Sequence, residues 1–296
     1  MADVAVFDER VCQLGEGPYY DERAGRAGWV DIFGRAVRWR DLVSAVTGEV
    51  PVAEDVGAAV PRQGGGLALC LPAGPALLDD DGWIQPQGSY AEADQAAGVP
   101  AGGPRLRSND AKADPAGRLW LGTMAYDGTP GAGALYRLEP DATGPTRVLG
   151  DVTVSNGLGW SLDAGTMYYI DTPTHRVDAF DYDLATGEIT NRRMFAEIDP
   201  ADGSPDGLCV DAAGGVWVAL WDGAAVRRYT PDGTVDRIVA LPTPRVTSCA
   251  FGGTGYGQLM ITTAAYGRPA DDTAAGLTYV YEPGDVVGRP VDRYAG

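Results

Sequence analysis

Three short segments of this 296-residue chain set an acid or amide beside glycine or proline. They are Gly15-Glu16-Gly17-Pro18, Ser155-Asn156-Gly157 and Ser204-Pro205-Asp206-Gly207; a fourth, Ser108-Asn109-Asp110, resembles them. Two carboxylates and one or two amide oxygens make a hard oxygen-donor set. Such a set suits Ca²⁺, Mg²⁺ or Mn²⁺ over copper. Zinc would lack the His or Cys ligands it prefers. Taken singly, Asn-Gly and Pro-Asp-Gly are also ordinary turn sequences. Only convergence on one point would make them a site, so the elements that carry them decide the matter.

Those elements repeat. Short β-rich runs bounded by glycine and proline fill the chain, and no 12-residue segment shows a clean helical period. The runs pair into six similar hairpins. One anchor from each first strand (Trp29, Leu69, Trp120, Tyr168, Trp217, Met260) gives separations of 40, 51, 48, 49 and 43 residues. Strand–turn–strand units at that period predict an all-β, six-bladed β-propeller. Turn sequences such as Asp-Pro-Ala-Gly at 114–117 and Asp-Ala-Ala-Gly at 211–214 fall where hairpins need them. We expect one domain over 1–296, closed by pairing of the N-terminal strand at 4–7 into the last blade, which removes a free sheet edge. Residues 290–294 also read as strand-like. Trp29, Trp120 and Trp217 are expected in the core between blades.

In a propeller the loops entering each inner strand line one mouth of the central channel, so residues of equal phase converge. Glu16 lies 13 residues before its anchor, Asn109 11, Asn156 12, Asp206 11 and Ser248 12. The second blade offers only Gln63, six before Leu69. This shared phase raises the turn-like segments to a candidate central metal site.

Composition narrows the function. Lys and Arg number 23 against 41 Asp and Glu, a formal net charge of −18, and Lys112 is the only lysine. No basic stripe exists to displace counterions, so nucleic acid is an improbable partner. No apolar run approaches the roughly 20 residues of a membrane span. The acidic start is not a secretory signal. The four cysteines are scattered without C-x-x-C spacing, which reads as reduced, buried thiols in a cytoplasmic protein. His175 is the only histidine, so a His-based metal triad is excluded. It sits in a turn, out of phase with the acids.

Six segments together resemble the SMP-30/gluconolactonase/regucalcin-like family. They are Leu-Gly-Glu-Gly-Pro at 14–18, Arg-Ser-Asn-Asp at 107–110, Asp-Pro-Ala-Gly-Arg-Leu-Trp-Leu-Gly-Thr-Met at 114–124, Ser-Asn-Gly-Leu-Gly-Trp at 155–160, Tyr-Tyr-Ile-Asp at 168–171 and Pro-Asp-Gly-Leu at 205–208. They occur in the family's order over nearly the whole chain. The resemblance implies a six-bladed propeller holding one divalent cation (Ca, Zn, Mn, Mg or Fe) through Glu16, Asn156 and Asp206. It implies substrate contacts from Arg107 and Asn109. A further family acid after Gly-Thr-Met, usually glutamate, matches Asp127, one methylene shorter.

The implied activity is metal-dependent hydrolysis of a lactone, foremost a sugar-acid (aldono) lactone, to the hydroxy acid. The cation would act as Lewis acid and Asp206 as general base. Asp110 would brace its loop, and Tyr126 and Tyr266 would lie near the mouth. The expected state is a monomer or homodimer. Two other readings remain: a related metal-dependent hydrolase of phosphotriesters or other esters, and a non-catalytic cation-binding propeller.

Overall fold

In the computed structural model, which describes residues 4–296, six four-stranded antiparallel sheets follow one another around a central axis. The first three positions of the 1–296 span lie outside the described residues. The inner strands are Gly15–Asp21, Ala58–Pro61, Leu106–Ala113, Ser155–Trp160, Ser204–Val210 and Val246–Gly252. Each begins a blade, and each packs against its neighbours in cyclic order, the sixth against the first. The outermost strand of the sixth blade is Ala5–Asp8, paired antiparallel to Thr278–Tyr281. The first and last parts of the chain thus share one sheet.

The core sits between blades rather than within them. All six anchor residues occupy second strands and are buried, with Trp29, Trp120 and Trp217 wholly inaccessible. One apolar cluster joins blades three and four around Trp120 and Trp160; another joins five and six around Trp217 and Phe251. Fully burying one large apolar side chain stabilises by roughly 1.5–3 kcal/mol. The tryptophans are therefore large contributors at these two interfaces.

Two features depart from the sequence reading. Residues 290–294 form no strand. Instead the C-terminal segment crosses the far end of the channel. The Ala212 amide donates to Val287 O (2.9 Å), and Tyr294 N donates to Pro61 O (3.0 Å), on the other side of the axis. Pro290 removes a donor that a ladder would need. The second departure is a seven-residue helix, Tyr90–Ala96, in the connection from blade two to blade three. Ser89 caps it, accepting from Glu92 N and donating its hydroxyl to the Glu92 carboxylate, the Ser-x-x-Glu pattern of a helix start. None of the described helices is long and apolar enough to cross a membrane. All four cysteines are buried free thiols.

Candidate metal centre

The inner strands of five blades share one irregularity. Their pairing with the second strand slips between Glu16 and Tyr19, Ser108 and Ala111, Ser155 and Leu158, Pro205 and Leu208, and Val246 and Ser248. A β-bulge at such a place re-aims side chains out of the regular alternation. Glu16, Asn109, Asn156 and Asp206 all sit at these slips, and all are buried. Glycine follows three of them. Gly157 and Gly207 do not serve turns: a Cβ on Gly157 would lie 2.6 Å from Asp206 O, and one on Gly207 would strike Ser248. These glycines let the inner strands approach closely, which draws the preceding side chains together.

The strand entrances are tied down. Asp31 ends the second strand of blade one and accepts from Gln13 N and Leu14 N, both 3.1 Å, just ahead of Glu16. Asp171 does the same for Asn156, accepting from Thr153 N (3.2 Å) and Val154 N (2.9 Å). Thr172 was not singled out in the sequence, yet it orients Asn156. Its hydroxyl donates to Pro205 O (2.9 Å), so its lone pair accepts from Asn156 Nδ2 (3.0 Å). One Nδ2 hydrogen is fixed on Thr172, and Asn156 Oδ1 is left over.

That oxygen and Asp206 Oδ1 are buried without a hydrogen-bond partner among the described residues. Buried polar atoms rarely go unpaired, because the desolvation cost is not recovered. Glu16 Oε2 accepts from Gly17 N at 2.9 Å. Burial pushes the Glu16 carboxyl well above the usual carboxylate range, and the charges of Asp206 and Asp110 add to the rise. Burial also raises Asp206 strongly, with Asn156 and Arg107 offsetting part of it and Asp110 adding to it. Two buried carboxyls that repel each other, with unpaired oxygens and an amide oxygen, fit a hard divalent cation. Among the described residues no three His, Cys, Asp or Glu side chains cluster as a metal site; the oxygens gathered here are those of two carboxyls and one amide.

Arg107 and Asn109 join the same place. Arg107 Nη1 donates to Asn109 Oδ1 (2.8 Å) and Ser108 O (3.0 Å), while Asn109 Nδ2 donates to Ser155 O (2.9 Å). Burial lowers the Arg107 pKa; the charges of Glu16, Tyr126, Asp55 and Asp206 support its charged form. Asp110 is buried, its pKa raised by desolvation and partly restored by Lys112. It accepts from Ala111 N within its own bulge.

Asp127 stands apart. It is exposed and accepts from Thr129 N (3.0 Å) and Thr129 Oγ1 (2.6 Å), bonds that hold its carboxyl below the usual range. The structure does not bring it to Arg107. Ser248 is displaced by one position: register places Thr247 at the phase of Glu16, its hydroxyl donating to Gly15 O (2.6 Å). Gln63 lies at the opposite end, where its backbone N–H donates to Tyr294 O. Blade two has a regular four-residue inner strand, preceded by Gly57 and not by a ligand. Deeper in the channel a cavity of about 90 Å³ is lined by Asp110, Lys112, Cys209, Cys249 and Asp292, with residues 289–292 across its far side.

Comparison with known proteins agrees with this arrangement. Residues 14–265 match the family described as SMP-30/Gluconolactonase/LRE-like region. Regucalcin of Danio rerio is 38% identical over 293 residues, covering 96% of this chain and 95% of its own. Among solved structures, a calcium-binding protein, regucalcin, from Agrobacterium tumefaciens superposes with a TM-score of 0.90 at 28% identity, covering 100% of this chain and 98% of its own. A luciferin-regenerating enzyme superposes with a TM-score of 0.91, also at 28% identity, covering all of both chains. With the family's region spanning most of its length and its propeller intact, the chain belongs to the SMP-30/gluconolactonase/LRE-like family.

Proposed function

We propose that the protein hydrolyses a lactone at the bulged end of its channel, with one divalent cation held by Glu16, Asn156 and Asp206. The observation that carries this reading is the pair of buried, unpartnered oxygens, Asn156 Oδ1 and Asp206 Oδ1, on adjacent blades. Family membership supports the reaction class, and the calcium-binding relative makes Ca²⁺ the first cation to test. When bound, the cation supplies Lewis-acid stabilisation of the charge that develops on the lactone carbonyl oxygen.

The chain's own groups do the rest. The Asp206 carboxylate accepts, through the oxygen not committed to the cation, a proton from the attacking water as the water oxygen bonds to the carbonyl carbon. The ring C–O bond then breaks, and the same carboxyl returns the proton to the departing alkoxide, giving the hydroxy acid. Arg107 spends Nη1 on Ser108 and Asn109; its Nε and Nη2 meet no acceptor among the described residues and can hold the lactone's oxygens. Asn109, pinned between Arg107 and Ser155, fixes that guanidinium.

The test is hydrolysis of a lactone panel by chelated protein, alone and with Ca²⁺, Mg²⁺, Mn²⁺, Zn²⁺ or Fe²⁺. Cation-dependent turnover is expected, falling by about 10²- to 10⁴-fold in Asp206→Ala, the range for loss of a general base. Tight cation binding with no turnover of any lactone would sink the hydrolytic reading. It would leave a cation-binding propeller.

A further inference from the structure

The rim beside the candidate site is built from rings. Phe33 lies in the connection after Arg26–Asp31, Trp221 ends the strand Val216–Trp221, and Tyr266 lies in the connection after Gln258–Thr263. These connections emerge at the same end of the channel as the bulges. Phe33 and Tyr266 meet with centroids 5.2 Å apart, tilted by 57°. The Arg107 guanidinium carbon lies 5.5 Å from the Phe33 ring. That of Arg245 lies 4.7 Å from Trp221 and 6.0 Å from Tyr266. A continuous chain of flat groups thus runs from Arg107, beside the carboxylates, through Phe33, Tyr266 and Arg245 to Trp221. Phe33 and Trp221 are partly buried against the core, whereas Tyr266 is 56% exposed.

Beyond Arg107, whose Nε and Nη2 are kept for the lactone group, the polar groups along this rim are spent on one another. Asp55 accepts from the Tyr126 hydroxyl (2.7 Å) and from Arg35 Nε (3.0 Å). Arg245 bonds Asp222 and the Tyr266 carbonyl. Asp127 is closed on Thr129. A polyhydroxylated ring docking here would have to break these pairs or leave its own hydroxyls unsatisfied, a strong ground for rejection. A flat apolar ring would lose nothing and would gain stacked or edge contacts with the aromatic faces.

We infer that the rim selects lactones carrying an aromatic or flat apolar ring beside the lactone group, with Phe33, Tyr266 and Trp221 as specificity-determining residues. The inference rests on the lactone-hydrolysis reading for the reaction but not for the binding, so the two can fail separately. Dihydrocoumarin and gluconolactone are compared as substrates, and the unreactive lactam corresponding to dihydrocoumarin is titrated calorimetrically into calcium-loaded protein. Wild type should favour dihydrocoumarin over gluconolactone by at least tenfold in kcat/KM. Tyr266→Ala should cut that ratio at least tenfold, mainly through KM, and weaken lactam binding to match; Tyr266→Phe should restore both. Because Tyr266 is exposed, its truncation leaves the core intact, and Phe33→Ala provides the second variant. Lactam binding that depends on Tyr266, with no turnover of any lactone, would uphold the ring subsite and sink the hydrolytic reading. A preference for gluconolactone, or lactam binding indifferent to both variants, would overturn the ring subsite while leaving lactone hydrolysis standing.

Discussion

Buried carboxylates occur at both ends of the inner strands, and the two groups are treated in opposite ways. At the far end Asp211 is wholly inaccessible and fully employed. Its Oδ1 accepts from Ala213 N (2.9 Å) and Gly215 N (2.8 Å), its Oδ2 from Trp217 Nε1 (2.8 Å) and Arg228 Nε (2.7 Å). Asp114 repeats the pattern in blade three with Ala116 N, Arg118 N, Trp120 Nε1 and Arg118 Nη1. At the bulged end, Asp206 and Glu16 are almost as deeply buried, yet they face each other's charge, and Asp206 Oδ1 has no partner. The same functional group therefore serves two purposes. Where donors surround it, it locks a turn to a blade-core tryptophan. Where donors are withheld, it is held ready for a cation. Bulges make the difference, because they turn acids inward at a level where donors are few: Glu16 accepts from Gly17 N, the Arg107 charge is nearby, and Asp206 Oδ1 is left without a partner.

Removing one acid from each end breaks the comparison most sharply. Asp211→Ala leaves Trp217 Nε1, Ala213 N and Gly215 N without their acceptor and Arg228 with Asp236 alone, and each unsatisfied buried donor costs about 1–3 kcal/mol. Urea unfolding of chelated protein should show a loss of that size. Asp206→Ala, measured in the same buffer, should unfold at the same urea concentration as wild type or a higher one, since it removes a buried repulsion. Equal destabilisation by the two variants would mean that the mouth acids are structural after all.

The next effect in size comes from the cation. A ligand that binds only the folded state stabilises by about 2.7 kcal/mol at a hundredfold excess over its Kd. Adding Ca²⁺ to chelated wild type at that excess should raise the unfolding free energy by about this amount. Asp206→Ala should gain far less, and Asp211→Ala should gain as much as wild type, from its lower starting point. A gain in Asp206→Ala equal to that of wild type would place the cation elsewhere.

The sequence revealed the convergence of the candidate ligands better than it revealed what holds them. Hairpin anchors recurring every 40–51 residues carried the propeller, because each blade must bury one large residue against its neighbour. Glu16, Asn156 and Asp206 were legible because equal phase in a closed ring means convergence. Blade two was not: its inner strand is short and regular, and the matching position is Gly57, so Gln63 was reached by counting to the wrong end. Ser248 missed by one because a bulge inserts a residue that spacing alone cannot place. The helix Tyr90–Ala96 is too short to show a period, although Ser89 and Glu92 carry its capping signature. Phe33 and Trp221 each lie four residues after their anchors but Tyr266 lies six after Met260, so spacing alone does not join the three. Their proximity exists only in the folded ring.

Thr172 was hidden for a related reason and gives the smallest, most specific test. Its hydroxyl donates to Pro205 O across the blade boundary and accepts from Asn156 Nδ2. One hydroxyl therefore aligns the strand carrying Asp206 and fixes which end of the Asn156 amide faces the channel. Thr172→Val keeps the shape and removes both bonds. The amide is then free to turn and present N–H groups to a cation, and the Pro205 carbonyl loses its donor. Losing a partner that orients a metal ligand typically weakens affinity 10- to 100-fold. We expect about tenfold weaker Ca²⁺ binding by calorimetry, with chelated-state stability down by about 1 kcal/mol for the lost hydrogen bond. Thr172→Ser, which retains the hydroxyl, should bind nearly as wild type does. If Thr172→Val binds Ca²⁺ as tightly as wild type, then Asn156 Oδ1 contributes nothing to the site, and Glu16 and Asp206 would have to hold the cation alone.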